Sequence, residues 1–333
     1  MRSLADVGLK EIEDAARQID GVAWRTPLLP ASRDSDAPAG ASSPLAGARG
    51  EREIFLKLET LQRTGSFKFR GAWNRMSRAS GEEERRGFVT VSAGNHGQAV
   101  AWSARKLGAP CTVWVPEGAV ARKVDAMRAM GATVKMRPHE EIMDAMMTQD
   151  LPWADGATFI HPFGDPYVMA GAGTVGLEIA RERHDIRTVL VPVGGGGLVC
   201  GVATAVKALL PGVKVYGIQA EGAGPLPVAW NEGKPVNSGA PKTIADGIAA
   251  TRVFDYMWPI LRARLDGALS VSDEEIQRAL VHLAKESHVV AEGAGAAALA
   301  AAWRYKDRFE APIACVVSGG NIDPALLSRS LAA

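Results

Sequence analysis

The sequence predicts an α/β protein built as two doubly wound, open-sheet lobes with a ligand cleft between them, and three observations predict it. Short apolar runs alternate with helical stretches of about ten residues. Glycine closes several of those stretches, as at Gly108 and Gly131. The alternation pauses at His161-Pro162-Phe163 and then begins again. Runs apolar throughout belong to parallel strands covered on both faces, and ligands of such sheets sit at the carboxyl ends of the strands.

Taken in order, Leu4 to Ile19 reads as an amphipathic helix with Leu4, Val7, Ile12, Ala15, Ala16 and Ile19 on one face. Trp24 to Leu28 runs extended ahead of and through Pro27. Arg33 to Arg52 is rich in Ala, Ser, Gly and Pro, has no period, and reads as a surface insertion. Ile54 to Leu58 is a strand. Phe88–Val91, Cys111–Val115 and Thr133–Met136 are strands separated by helices at Gln98–Leu107 and Ala121–Met130. The second block gives a helix from about Ala170 to Arg183, strand Thr188–Val193, helix Leu198–Leu209 and strand Lys214–Gln219. Helices Glu274–Ser287 and Ala294–Tyr305 and strand Ile313–Val317 complete it. The expected division places residues 1–85 and 164–333 in a larger lobe and 86–163 in a smaller one.

The totals narrow the function. The chain has 333 residues, 47% hydrophobic and 23% charged, with net charge +1, enough apolar material for a sizeable core. No basic run interleaves with aromatics, so neither nucleic acid nor a membrane surface is an expected partner. No stretch reaches the roughly 20 apolar residues of a spanning helix, and no signal-peptide pattern opens the chain. Cys111, Cys200 and Cys315 lie in apolar runs without ligand spacing, as reduced structural thiols of a cytoplasmic protein do.

Four stretches carry chemistry. In Thr64-Gly-Ser-Phe-Lys-Phe-Arg-Gly-Ala72 a lysine stands between two phenylalanines. An amine kept from water loses its proton readily and can form a Schiff base with a carbonyl cofactor. On these residues alone a surface lysine snorkelling past two core aromatics remains open. Gly194-Gly195-Gly196-Gly197 joins a Val-rich strand to a helix. Its bare amides and the helix N-terminus suit a phosphate without any basic side chain. The tract fits neither the dinucleotide fingerprint nor the P-loop. Ser92-Ala-Gly-Asn-His-Gly97 opens another helix after a strand and suits an anion such as a carboxylate. There His96 is either a base or a histidine hydrogen-bonded at the cap. Ser318-Gly-Gly-Asn321 follows the last strand, a turn in isolation but here at a carboxyl end.

Together these loops, with Ala170-Gly-Ala-Gly-Thr-Val-Gly-Leu-Glu178 and Thr243-Ile-Ala-Asp-Gly247, resemble the fold-type II pyridoxal-phosphate enzymes, in the threonine/serine dehydratase and serine racemase branch. The resemblance runs from about Ala23 to Asp323. It implies a tryptophan synthase β-like architecture with pyridoxal 5'-phosphate in the cleft, bound to Lys68 as a Schiff base. It further implies that Phe67 packs on the cofactor ring, Asn95 meets the ring hydroxyl, Gly194, Gly195, Gly196 and Gly197 hold the phosphate, and Ser318 bonds the pyridine nitrogen. Glu292 is placed near the ring. Ser92, Ala93, Gly94, Asn95 and His96 form the loop for the substrate carboxylate.

The implied activity is β-elimination of water from a 3-hydroxy amino acid of the threonine, serine or phenylserine type, giving a 2-oxo acid and ammonia. Lys68 acts as the base. The branch is commonly dimeric, so a homodimer is expected. Racemases of the branch carry a serine where this chain has Ala93, and alanine cannot move a proton. A racemase is therefore the alternative enzyme, and a two-lobed ligand-binding protein the non-catalytic one. Many relatives hold a divalent cation after the strand matching Lys214–Gln219. Here Glu221 has no second acid in the stretch that follows, so no metal is expected. Met143, Met146 and Met147 are either helix core or an adaptable wall for the substrate side chain. The chain stops shortly after its last strand, so no appended effector domain is expected.

Overall fold

The computed structural model describes residues 3–31, 53–119 and 121–332; the Arg33–Arg52 insertion lies outside them. Leu4–Asp6 forms a single 3-10 turn, and Gly8 caps a separate helix α1 (Leu9–Ile19). The single helix predicted from Leu4 is thus broken at Gly8, whose N–H is taken by Glu11 at 3.1 Å. Next come β1 (Leu28–Pro30), β2 (Ile54–Leu58), α2 (Lys68–Met76), α3 (Gly81–Arg86), β3 (Phe88–Val91) and α4 (Asn95–Leu107). They are followed by β4 (Cys111–Pro116), α5 (Ala121–Ala129), β5 (Thr133–Arg137), α6 (His139–Thr148) and β6 (Thr158–Phe159). The second block holds α7 (Pro166–Glu182), β7 (Thr188–Pro192), α8 (Gly197–Leu209), β8 (Lys214–Ala220), α9 (Pro225–Glu232) and α10 (Trp258–Arg264). It closes with β9 (Gly267–Val271), α11 (Asp273–Lys285), α12 (Gly293–Arg304), β10 (Ile313–Val317) and α13 (Pro324–Ala332).

Two sheets result. The larger has order β1-β2-β10-β7-β8-β9, the smaller β5-β4-β3-β6. Every pair is parallel except β1 with β2. All residues of β2, β7 and β10 are buried, as strands covered on both faces must be. Helix starts follow local chemistry. Asp165 caps α7 by accepting from the Tyr167 and Val168 amides, with Pro166 in the first helical position. Ser272 and Glu275 form a capping box on α11.

Topology sets up the cleft. The register pairs Val317 of β10 with Leu58 of β2, so the loops leaving both strands start level. An isolated bridge between Ser66 and Gly319 joins them again further on. Helix α2 is pressed against α7 through facing glycines. A side chain at Gly71 would meet the Val168 carbonyl at 2.6 Å, and one at Gly171 the Arg70 carbonyl at 2.6 Å. Backbone-to-backbone contact of this kind fixes the start of α2, where Lys68 stands.

Candidate active site

Lys68 is the first residue of α2 and Phe67 its N-cap. Burial, opposed by no neighbouring acid, lowers the Lys68 amine to a pKa of about 8. Nζ donates one hydrogen bond, to the Pro162 carbonyl at 2.8 Å, and lies 5.3 Å from the centre of the Phe67 ring. This is the amine expected from its two flanking phenylalanines, with a backbone carbonyl as its polar partner.

Pro162 belongs to the segment that joins the two blocks. His161 beside it is buried and held neutral, its pKa lowered to about 4 by burial. Its Nδ1 accepts from the Phe163 and Gly164 amides at 3.2 and 2.6 Å, while Nε2 faces the Met146 carbonyl at 3.2 Å. Tyr256 also donates to that carbonyl, at 3.0 Å. The ring of Phe163 then covers the glycine turn: a side chain at Gly195 would fall 2.3 Å from it, one at Gly197 3.0 Å from its Cβ. Lys68 and the tetraglycine are therefore neighbours across Pro162 and Phe163.

The turn itself is shaped for an anion. Gly196 has φ +98° and caps α8. Among the described residues, none of the amides of Gly194 to Gly197 donates to a protein acceptor. Unmatched amides at a helix N-terminus attract negative charge. The same holds at α4: Gly94 is its N-cap, and of the Ser92 to His96 amides two are taken among the described residues, that of Ser92 by the Trp114 carbonyl at 3.0 Å and that of Gly94 by Ser92 Oγ at 3.2 Å.

The remaining loops lock together. Ser318 accepts from the Phe67 amide through its carbonyl at 3.1 Å, and its hydroxyl makes no hydrogen bond among the described residues. Asn95 donates to Glu292 Oε1 at 2.7 Å and accepts from Asn321 at 2.8 Å. Glu292 is buried, and burial together with the charge of Asp246 raises its carboxyl to about 7. The buried Thr64 and Ser66 hydroxyls have no protein partner among the described residues. These unpaired polar atoms, the isolated amine and the bare amides fit a phosphate-bearing aldehyde that takes several hydrogen bonds.

Three readings that the sequence left open are narrowed by the structure. The His96 ring does not serve the substrate loop. It is 2% exposed, its Nε2 lies 3.0 Å from the Ile160 carbonyl, and burial with the Lys68 charge lowers its pKa to about 3. It is the cap histidine, and only its amide faces the helix start. Met143 and Met146 pack on the larger lobe's core, and Met147 is largely exposed against Arg252, so they are packing residues. Glu221 is engaged by Arg304 at 2.6 Å. The sequence reading gave no role of their own to Asn321, Pro162 and Phe163, or to Glu59 and Glu178, which pair with Arg70 of α2. The His-Pro-Phe interruption between blocks was the available signal for the middle two. A cavity of about 400 Å³ between α1 and α7, lined by Glu13, Arg17, Arg25 and Arg70 among others, does not reach Lys68.

Comparison with known proteins agrees with this geometry. The family described as pyridoxal-phosphate dependent enzymes matches residues 19–319. An L-threonine ammonia-lyase of Thermotoga maritima is 39% identical over 97% of this chain and 78% of its own. A threonine deaminase isoform of Solanum lycopersicum superposes with TM-score 0.83 at 34% identity, over 96% of this chain and 91% of that one. Maize serine racemase gives 0.83 at 31%, over 98% and 97%. Among the described residues no helix is long and apolar enough to cross a membrane. The chain belongs to the pyridoxal-phosphate-dependent enzymes, in their threonine/serine dehydratase branch, and pyridoxal 5'-phosphate is its cofactor.

Proposed function

We propose that this enzyme is an ammonia-lyase that eliminates water from a 3-hydroxy amino acid, with L-threonine as the first substrate to test, releasing a 2-oxo acid and ammonia. The observation that carries the reading is the isolated Lys68 amine, lowered to about 8 and set across Phe163 from unmatched glycine amides. Lys68 would hold the cofactor aldehyde, Gly194 to Gly197 its phosphate, Phe67, Asn95 and Glu292 its ring, and Ser318 the ring nitrogen. When bound, the cofactor supplies an electron sink for the charge left on Cα.

The chain's own groups do the rest. Lys68 Nζ, with a pKa near working pH, takes the Cα proton. The β-hydroxyl takes a proton from a water beside the phosphate seat and leaves as water, and Lys68 gives its own proton back to solvent before the next turnover. The free amides of the Ser92–His96 loop hold the substrate carboxylate at the start of α4. A serine hydroxyl is a weaker partner for the ring nitrogen than a carboxylate, which favours prompt loss of the β-substituent over transamination. The Ala93 methyl has no proton to give to the opposite face of Cα, so racemisation is slow, although serine racemases share the fold. The working form is proposed to be a cytoplasmic homodimer, with lobes at 1–85 plus 164–333 and at 86–163.

The experiment is a panel of L-threonine, L-serine and phenylserine scored for 2-oxo acid, ammonia and D-enantiomer, with Lys68→Ala as control. Ammonia and oxo acid in equal amounts, well ahead of any D-amino acid, are expected. D-enantiomer forming faster than ammonia would overturn the assignment in favour of a racemase.

A further inference from the structure

Asn321 leaves β10 of the larger sheet, whereas Asn95 opens α4 after β3 of the smaller one, and their side chains meet. Asn321 Nδ2 donates to two acceptors at once, the Thr64 carbonyl at 2.8 Å and Asn95 Oδ1 at 2.8 Å. Asn95 Nδ2 in turn donates to Glu292 Oε1 at 2.7 Å. A peptide carbonyl can only accept, so Asn321 must turn its NH₂ toward Thr64, and the second hydrogen then falls on Asn95 Oδ1. With Oδ1 held there, Asn95 keeps its NH₂ on the other side, where one hydrogen serves Glu292 and one is left over. The reversed amide would set two NH₂ groups against each other at Asn321.

The backbone is built around this contact. Gly65 has φ +72°, and a side chain there would strike Asn321 Oδ1 at 2.6 Å. The Gly320 amide donates to the Gly65 carbonyl at 2.8 Å, and the Glu292 amide to the Gly319 carbonyl at 3.0 Å. The lysine loop, the last loop and the start of α12 thus fix where Asn321 stands, and Asn321 fixes Asn95.

We infer that Asn321 is a positioning residue: from the larger lobe it holds the Asn95 amide with an N–H, not a carbonyl, presented to the oxygen of the cofactor ring. This rests on the reading that Asn95 meets that oxygen. A donor there stabilises the ionised ring oxygen, so both cofactor affinity and the visible absorption of the bound cofactor report it.

The test compares Asn321→Ala, Asn321→Asp and Asn95→Ala as holoenzymes, following the absorption band against pH, the dissociation constant of pyridoxal 5'-phosphate, the thermal midpoint, and kcat against KM. Asn321→Ala is expected to weaken cofactor binding about tenfold, the scale of one well-aligned hydrogen bond, and to move the band toward that of Asn95→Ala. Asn321→Asp should move it further, since a carboxylate only accepts and would turn the Asn95 amide over. In both, kcat falls more than KM rises. If the Asn321 variants keep the wild-type band and affinity while Asn95→Ala changes both, the positioning role is wrong and the reading of Asn95 stands. The same conclusion follows if they lose only thermal stability. If Asn95→Ala is equally silent, the placement of Asn95 at the cofactor falls, and the inference with it.

Discussion

Lys68 and Arg70 stand two residues apart on one helix, both cationic and both shielded from water, yet they meet opposite electrostatic fates. Arg70 is fully buried and pairs with Glu59 at 2.7 Å and Glu178 at 2.6 Å. Burial works against its charge, but the two carboxylates prevail and hold its pKa above the ordinary value. Lys57, in the middle of β2, shares Glu178 at 2.6 Å. Among the described residues Lys68 has a carbonyl and no acid. Lys57 is instructive because burial lowers its pKa as well, in spite of Glu178 and Glu59. A depressed amine therefore does not by itself mark a nucleophile. Lack of a counter-charge, together with bare amides nearby, does.

The comparison can be broken at either end. Lys68→Ala should reduce turnover at least about a thousandfold, because base and cofactor anchor are lost together. The apoprotein should unfold at an unchanged or slightly higher temperature. Arg70→Met should do the reverse, costing about 3–5 kcal/mol in denaturant unfolding by stranding Glu59 among buried groups. An unfolded Lys68→Ala beside a stable Arg70→Met would invert the picture.

Two smaller effects sharpen it. Gly195→Ala forces a methyl into the buried Phe163 ring. The expected cost is about 1–3 kcal/mol, appearing mainly as weaker binding of the cofactor in titrations of the apoprotein. Glu292→Gln tests the raised carboxyl. A folded-state pKa of about 7 means that the fold keeps a proton the unfolded chain has already released. Wild-type apoprotein should therefore lose stability as pH rises from the ordinary carboxylate range through about 7. The glutamine variant should gain on it by about 2–3 kcal/mol between pH 5 and pH 8. Parallel stability curves would show that Glu292 is ionised at little cost.

Much of the site was legible because it is local. A lysine between phenylalanines and four glycines after an apolar strand need only their own neighbours to announce a reactive amine and an anion seat. Helix starts were read late, at Gln98 for Asn95 and at Ala170 for Pro166, because glycine, asparagine and proline look like loop residues until their capping partners are seen. The edge strand Gly267–Val271 was missed: it is short, opens with glycine and alternates in burial. The charged cluster was out of reach. Glu178 lies 108 residues from Arg70 and 121 from Lys57, and no local pattern joins them. The role of the His96 ring stayed open for the same reason, its partner being the carbonyl of Ile160, 64 residues on.

Placing Pro162 and Phe163 side by side has a chemical consequence for the enzyme before it is loaded. The first residue occupies the amine and the second covers the glycine turn, so whatever lifts this segment uncovers both at once. Any change at Pro162 or Phe163 therefore acts on the amine and on the anion seat together.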